Sequence, residues 1–392
     1  MFLGPHCTDS RPILSRPFIA VKCDTEARPG YDSMMAHEYL DDQVVLLEKV
    51  KLLADMIKKS QAVVAYTGAG ISTSSGISDY ATKAGENSLI SEEKKKKNKM
   101  KRSGLYAEPT VSHRILSAMH QQDQLHHWVQ QNHDGLPQKA GFPPEHLNEI
   151  HGAWFDPSNP VVPMSGTLRD DLCEWMYEWE KKADLTLAIG TSLCGMNADR
   201  MVTNVAKRAA KAKAQGAVIF SIQRTQYDDI SSLRIFAKID DVMVLLAKEL
   251  GISPSQLSLH PNYAPIIAPS TQIKPDIFMV PYTSTGRLSE HTETSEERRR
   301  SRLSHRRRAS REFCSWNLTP GAKIRVTQGP GKGFEGRVLG KNAEGHYRIE
   351  LPVIREGSVN HGKGLCIYLL GSWWVQTATH GKAAMLPIVN IH

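Results

Sequence analysis

From Asp41 the chain takes on a regular pattern: Val45, Leu46, Val50, Leu53 and Ile57 recur at helical spacing behind Asp41 and Asp42, placed to cap the helix. A short apolar run, 62–66, follows and leads into Gly68-Ala69-Gly70-Ile71-Ser72. A strand entering a glycine turn and then a helix start is the opening of a nucleotide-binding βα unit. Apolar runs at 125–129, 185–189 and 217–222 read as further strands. Stretches 200–215 and 241–250 read as helices closed by Gly216 and Gly251. Strands alternating with helices predict an α/β fold, a Rossmann-like parallel sheet covered on both faces.

The pattern stops outside 41–251. Residues 1–40 carry several Pro and Gly without periodicity and read as a disordered tail. Residues 252–315, rich first in Pro, Ser and Thr and then in Arg, read as a linker. Alternating stretches at 323–327, 336–339, 346–351 and 365–370, set between glycine turns, predict a small all-β barrel over 316–392. Phe334, Tyr347, Trp373 and Trp374 are expected mostly in its core.

Charge sharpens this division. The net charge is +8, and the basic residues are clumped: Lys94–Lys97 continue through Arg102, and eight arginines lie between Arg298 and Arg311. Such runs stay solvated, and they attract polyanions or serve as nuclear-import signals; a loop and linker kept soluble by charge read the same way. No apolar run approaches the roughly 20 residues of a bilayer-spanning helix, so no membrane association is expected. The first residues lack the charged–apolar–small succession of a secretory signal, which predicts a soluble intracellular setting. None of the 6 cysteines forms a C-x-x-C pair.

Four segments carry candidate chemistry: GAGIS at 68–72, QNHDGL at 131–136, EIHG at 149–152 and ADLTLAIGTSL at 183–193. Glycines at 68 and 70 let backbone N–H groups approach a pyrophosphate at a helix start. Singly, each has a plainer reading. The glycines suit any tight turn, Asp134 with Gly135 is a turn signal, and a His-Gly pair is commonly a loop. In this order on one chain they resemble the sirtuins, NAD-dependent protein deacylases, and most nearly their nuclear branch. Glu108-Pro109 before His113, and Asp240-Asp241-Val242, also match, so the resemblance covers roughly 41–251.

That resemblance implies NAD as cofactor, held by Gly68, Ala69, Gly70, Ser72, Asp79, Tyr80, Gln131, Asn132, Asp134, Gly190, Thr191 and Ser192. Asn132 and Asp134 are implied to hold the nicotinamide amide and ribose in place, and Gln131 to bond the ribose. His151 is implied as the general base acting on a ribose hydroxyl, work that suits an imidazole of pKa near 6.5. Gly190, Thr191 and Ser192 would meet the phosphates and adenosine ribose. The implied substrate is an acylated protein, histones among the candidates, with nicotinamide released and the acyl group passed to ADP-ribose. The implied location is the nucleus, with the cytoplasm as the alternative.

The chain also departs from that family. Sirtuins carry two zinc-binding cysteine pairs between the His-Gly and Gly-Thr-Ser motifs; here 153–182 holds Cys173 alone. A tetrahedral structural site needs four ligands, so zinc is not expected. Gly166-Thr167-Leu168-Arg169 resembles the strand that follows the last cysteine pair. Ala81 stands where the family has arginine after the aspartate and aromatic of Asp79-Tyr80, and Pro137-Gln138-Lys139 replace a His-x-Arg pattern. Only Leu172–Met176 stand where a substrate-pairing strand is normal. Residues 321–339 resemble the KOW motif, whose SH3-like barrels bind nucleic acid or protein, so that module and the arginine-rich linker are candidate nucleic-acid contacts. Two other outcomes follow from the same residues: a catalytically weak NAD or ADP-ribose sensor, and a mono-ADP-ribosyl transferase.

Overall fold

The structure is a computed structural model that describes residues 16–27, 34–79, 82–90, 104–163, 166–194, 196–253, 271–289, 313–354 and 364–391. Both basic runs, at 94–102 and 298–311, fall outside these residues. The chain divides into two compact units. One comprises 1–142, 146–152 and 168–260, the other 143–145, 153–167 and 261–392.

The first unit begins with β1 (Phe18–Val21) antiparallel to β2 (Glu38–Leu40), then α1 (Gln43–Lys59) and β3 (Val63–Thr67). It continues through α2 (Val111–Gln121), β4 (His127–Gln130), the single turn α3 (Leu136–Lys139) and β5 (Leu147–Glu149). After the interruption come α4 (Asp170–Lys182), β6 (Leu185–Ile189), α5 (Arg200–Ala209), β7 (Gly216–Phe220), β8 (Leu233–Ile235) and α6 (Ile239–Glu249). Six strands form one parallel sheet in the order β5-β4-β3-β6-β7-β8, with β3 paired to β4 on one side and β6 on the other. Leu53, Ile115 and Leu246 from α1, α2 and α6 pack on one face; Met176, Met201 and Val205 from α4 and α5 pack on the other. The expected doubly covered α/β sheet is therefore present, and no helix among the described residues is long and apolar enough to cross a membrane.

Several local expectations change. The part of 1–40 that is described is not all tail: Tyr39 N–H bonds the Ile222 carbonyl at 2.7 Å, and the fully buried Glu38 accepts from Ser88 Oγ (2.6 Å) and the Leu89 N–H (2.8 Å). The helix expected to reach Gln215 ends at Ala209, because its buried face stops at Ala206 and only basic and small residues follow. Gly216 consequently opens β7 rather than capping that helix. No strand forms at 166–169, and Leu172–Met176 lie in α4, where Leu172, Cys173 and Met176 join the core.

The second unit holds β9 (Gln272–Lys274), β10 (Ile277–Val280), β11 (Cys314–Asn317), β12 (Lys323–Val326), β13 (Glu335–Lys341), β14 (Tyr347–Pro352), β15 (Leu365–Leu370), the helix α7 (Trp373–Thr379) and β16 (Ile388–Asn390). Its strands make two antiparallel sheets, β11-β10-β9 and β15-β14-β13-β12-β16. The antiparallel strands match the sequence pattern, but the unit also holds the helix α7, and its strands pair as two sheets around one core. Part of the stretch read as linker belongs here, with Phe278, Val280 and Tyr282 buried beside Trp316 and Tyr347. The segment 153–167 also groups with this unit. Phe155 is buried against the rings of His346 (4.8 Å) and Trp373 (5.3 Å), and its carbonyl accepts from the Gly371 N–H at 2.9 Å.

Candidate active site

Four strands deliver their carboxyl ends to one edge of the parallel sheet: β3 at Thr67, β4 at Gln130, β5 at Glu149 and β6 at Ile189. Three motifs begin at or beside these ends, and the fourth, 183–193, runs along β6 and finishes just past its end; open α/β sheets bind ligands there. The loops after β3 and β6 are laced by backbone bonds, Gly68 N–H to Ile189 O (3.1 Å) and Gly70 N–H to Gly190 O (2.9 Å). A Cβ at position 70 would lie 2.8 Å from both Gly190 Cα and O, so only glycine permits the approach. Gly190 itself takes φ +59°, where a Cβ would stand 2.6 Å from Ile239 Cδ1.

Behind this backbone lies a chain of polar side chains. Asn132 Nδ2 donates to the Gly68 carbonyl (3.2 Å) and to Ser72 Oγ (3.0 Å), and Ser72 Oγ donates to Asp134 Oδ2 (2.7 Å). The other Asp134 oxygen accepts the Leu136 N–H at 3.0 Å, so this residue braces the start of α3 as well as fixing Ser72. Burial pushes the Asp134 carboxyl up, while Ser72 and the Leu136 amide oppose the shift. Gln131 Nε2 donates to Thr191 Oγ1 at 2.9 Å, joining the loop after β4 to that after β6.

His151 stands two residues past β5. Burial, and then the neighbouring His133, push its imidazole down to about 4, against a backbone hydrogen bond with Gln131. Its Nε2 is buried and has no hydrogen-bond partner. A buried, unprotonated ring nitrogen is ready to accept a proton, and it fits the base that a ribose hydroxyl of NAD requires.

Not every expected residue joins the cluster. Asp79 turns back on Thr82, accepting from its N–H (2.9 Å) and Oγ1 (2.8 Å). Ser192 Oγ lies against Cys194 Sγ at 3.7 Å. Ala69 opens the short helical turn 69–75, and Tyr80, with Ala81, lies outside the described residues. His113 is structural: it caps α2 with Thr110, stacks on Trp128 and is pushed by burial down to about 3. One residue escaped the sequence reading, and another was read there only as part of a matching motif. Asp240 ties Ser74 Oγ (2.7 Å) to the Ser112 N–H (3.3 Å), anchoring the glycine-loop turn to α2. His133 was hidden in the variable position of QNHDGL, and only its contact with Gly152, distant in sequence, marks it.

Comparison with known proteins adds to this geometry. Residues 68–158 match the Sir2 family. The chain is 29% identical over 258 residues to an NAD-dependent protein deacetylase sirtuin-7 of Bos taurus, covering 55% of this chain and 63% of that protein. It thus spans less than two thirds of that relative's length. It is also 29% identical over 289 residues to an NAD-dependent protein deacetylase Sirt6 of Drosophila melanogaster, covering 63% and 87% of the two chains. A solved structure of Sir2 with a p53 peptide and NAD+ overlaps 52% of this chain and 99% of that one, at TM-score 0.43 and 22% identity.

Proposed function

We propose that this chain, whose residues 68–158 match the Sir2 family, is an NAD-dependent protein-lysine deacylase that releases nicotinamide and passes the acyl group to ADP-ribose. The observation that carries this reading is His151, whose Nε2 is buried and unpartnered at the sheet edge where Asn132, Ser72 and Asp134 converge. Bound NAD supplies the glycosidic bond to nicotinamide and the ribose that takes up the acyl group. The protein's part is to bind, orient and move one proton. Gly68, Gly70, Gly190, Thr191 and Ser192 take the phosphates and adenosine ribose, with Gln131, Asn132 and Asp134 fixing the nicotinamide end. His151 Nε2 removes a proton from a ribose hydroxyl. The proposed catalytic domain is 41–251, less the segments 143–145 and 153–167 that group with the second unit.

The test is nicotinamide release from NAD in the presence of acetylated histone peptides. Release matched one for one by deacetylated peptide is expected. Binding of NAD with no release would replace this reading with a sensor, and ADP-ribose attached to a protein acceptor with a transferase. One observation favours the sensor: Leu172–Met176 are helical, with Met176 buried and Leu172 and Cys173 packed against the core, so this stretch offers no free strand edge to a peptide.

The chain is further proposed to work without structural zinc, since 153–182 supplies one cysteine in place of four. Elemental analysis of the purified protein is expected to find no bound zinc; one zinc per chain, with unfolding on chelation, would overturn this. Histones are the proposed acyl substrates and the nucleus the proposed location. The arginine run Arg298–Arg311 and the second unit are the proposed nucleic-acid contacts, binding in a salt-dependent way.

A further inference from the structure

His151 has a neighbour that the reaction above leaves unused. His133 stands between Asn132 and Asp134 in the loop after β4, and its Nδ1 lies 2.9 Å from the Gly152 carbonyl. A carbonyl oxygen only accepts, so Nδ1 carries the hydrogen and a neutral His133 keeps its free lone pair on Nε2. Gly152 follows His151 directly and takes φ +93°, a left-handed turn closed by its own N–H on the Glu149 carbonyl at 3.0 Å. Ile150 N–H fixes the near side of this turn to the Gln130 carbonyl at 3.2 Å. The backbone thus holds the turn through the N–H groups of Ile150 and Gly152, and the His133 side chain adds a bond to the Gly152 carbonyl just after His151.

We infer that His133 is a positioning residue, whose Nδ1–H bond to the Gly152 carbonyl fixes the turn that presents His151 Nε2 to the ribose hydroxyl. The inference rests on the deacylase reading for its kinetic consequence and on geometry alone for its structural one. A loosened general base loses rate because proton transfer needs hydrogen-bond geometry, and a displacement of about 1 Å can cost roughly 100-fold. An aliphatic side chain at 133 would fill space, but only a donor can hold the Gly152 carbonyl.

The test compares His133→Leu with His133→Asn in the full chain. Asn retains a short side-chain N–H donor. His133→Leu is expected to lower kcat by about 10–100-fold while changing KM for NAD less than about twofold, and His133→Asn to recover most of the loss. Hydrogen exchange over residues 150–153, followed by mass spectrometry, gives a readout independent of turnover: faster in the Leu variant, near the parent in the Asn variant. Unchanged exchange in His133→Leu, or an Asn variant no better than Leu, overturns the inference. An absence of nicotinamide release in the parent overturns the deacylase reading instead and leaves the exchange comparison to decide the role of His133.

Discussion

His151→Ala is expected to lower peptide-dependent nicotinamide release by about 100–10,000-fold, the range a general base supplies, with NAD affinity within about threefold of the parent. The substitution removes the unpartnered Nε2 and leaves the glycine loops and the Asn132–Ser72–Asp134 chain in place. Calorimetric NAD binding beside a nicotinamide assay separates the two effects, and loss of both together would point to collapse of the site rather than loss of a base. The parent enzyme's pH profile follows from the same ring. A base works unprotonated, and burial and His133 push His151 down to about 4, so it stays neutral above that value. kcat/KM is therefore expected to hold level from about pH 8 to pH 5.5, where an ordinary histidine of pKa about 6.5 would already have lost most of its base form. A fall centred near pH 6.5 would mean that His151 is not depressed, or is not the base.

What the sequence made legible was whatever repeats locally. The core strands β3 and β6 and the helix α1 follow from apolar periodicity, and β6 runs over the residues expected of it, Leu185–Ile189. Asp42 caps α1 as its residue type suggests, accepting the Val44 N–H at 2.9 Å. The site motifs were legible because each sits at a strand's carboxyl end, a position that chain order alone implies for a parallel sheet. Elements held by distant partners were not legible. β10 is four residues in a Pro-, Ser- and Thr-rich stretch, and its reason for existing is β11, paired as Phe278 with Trp316. Likewise, nothing local says that Phe155 packs on Trp373, so 153–167 was read as part of the 41–251 domain, whereas it groups with the second unit. Asp79 shows a related gap: the family resemblance made it a cofactor-binding candidate, whereas it accepts from the Thr82 N–H and hydroxyl, three residues away.

Asp41→Ala is expected to destabilise the first unit by about 3–5 kcal/mol, the usual cost of orphaning one member of a buried ion pair. Asp41 and Lys49 have side chains with no solvent exposure, joined at 2.7 Å. The other Asp41 oxygen accepts the Phe236 N–H at 2.9 Å, so alanine would strand an ammonium and a backbone donor together. A second cation deepens the loss, since the buried Arg234 lies over the Phe236 ring at 3.7 Å and bears on Lys49, with its own carboxylate partner Asp228 at 2.7 Å. Burial already pushes the Lys49 ammonium down, and Asp41 is what holds the proton on. Urea unfolding should therefore show a fall that consumes much of a domain's usual margin of about 5–15 kcal/mol. The double variant Asp41→Leu, Lys49→Met removes both charges and keeps the volume, and it should recover most of what the single change loses. A single-variant loss below about 1 kcal/mol would mean that Lys49 simply sheds its proton once Asp41 is gone, and the pair would then be a matter of register between α1 and β8 rather than of stability.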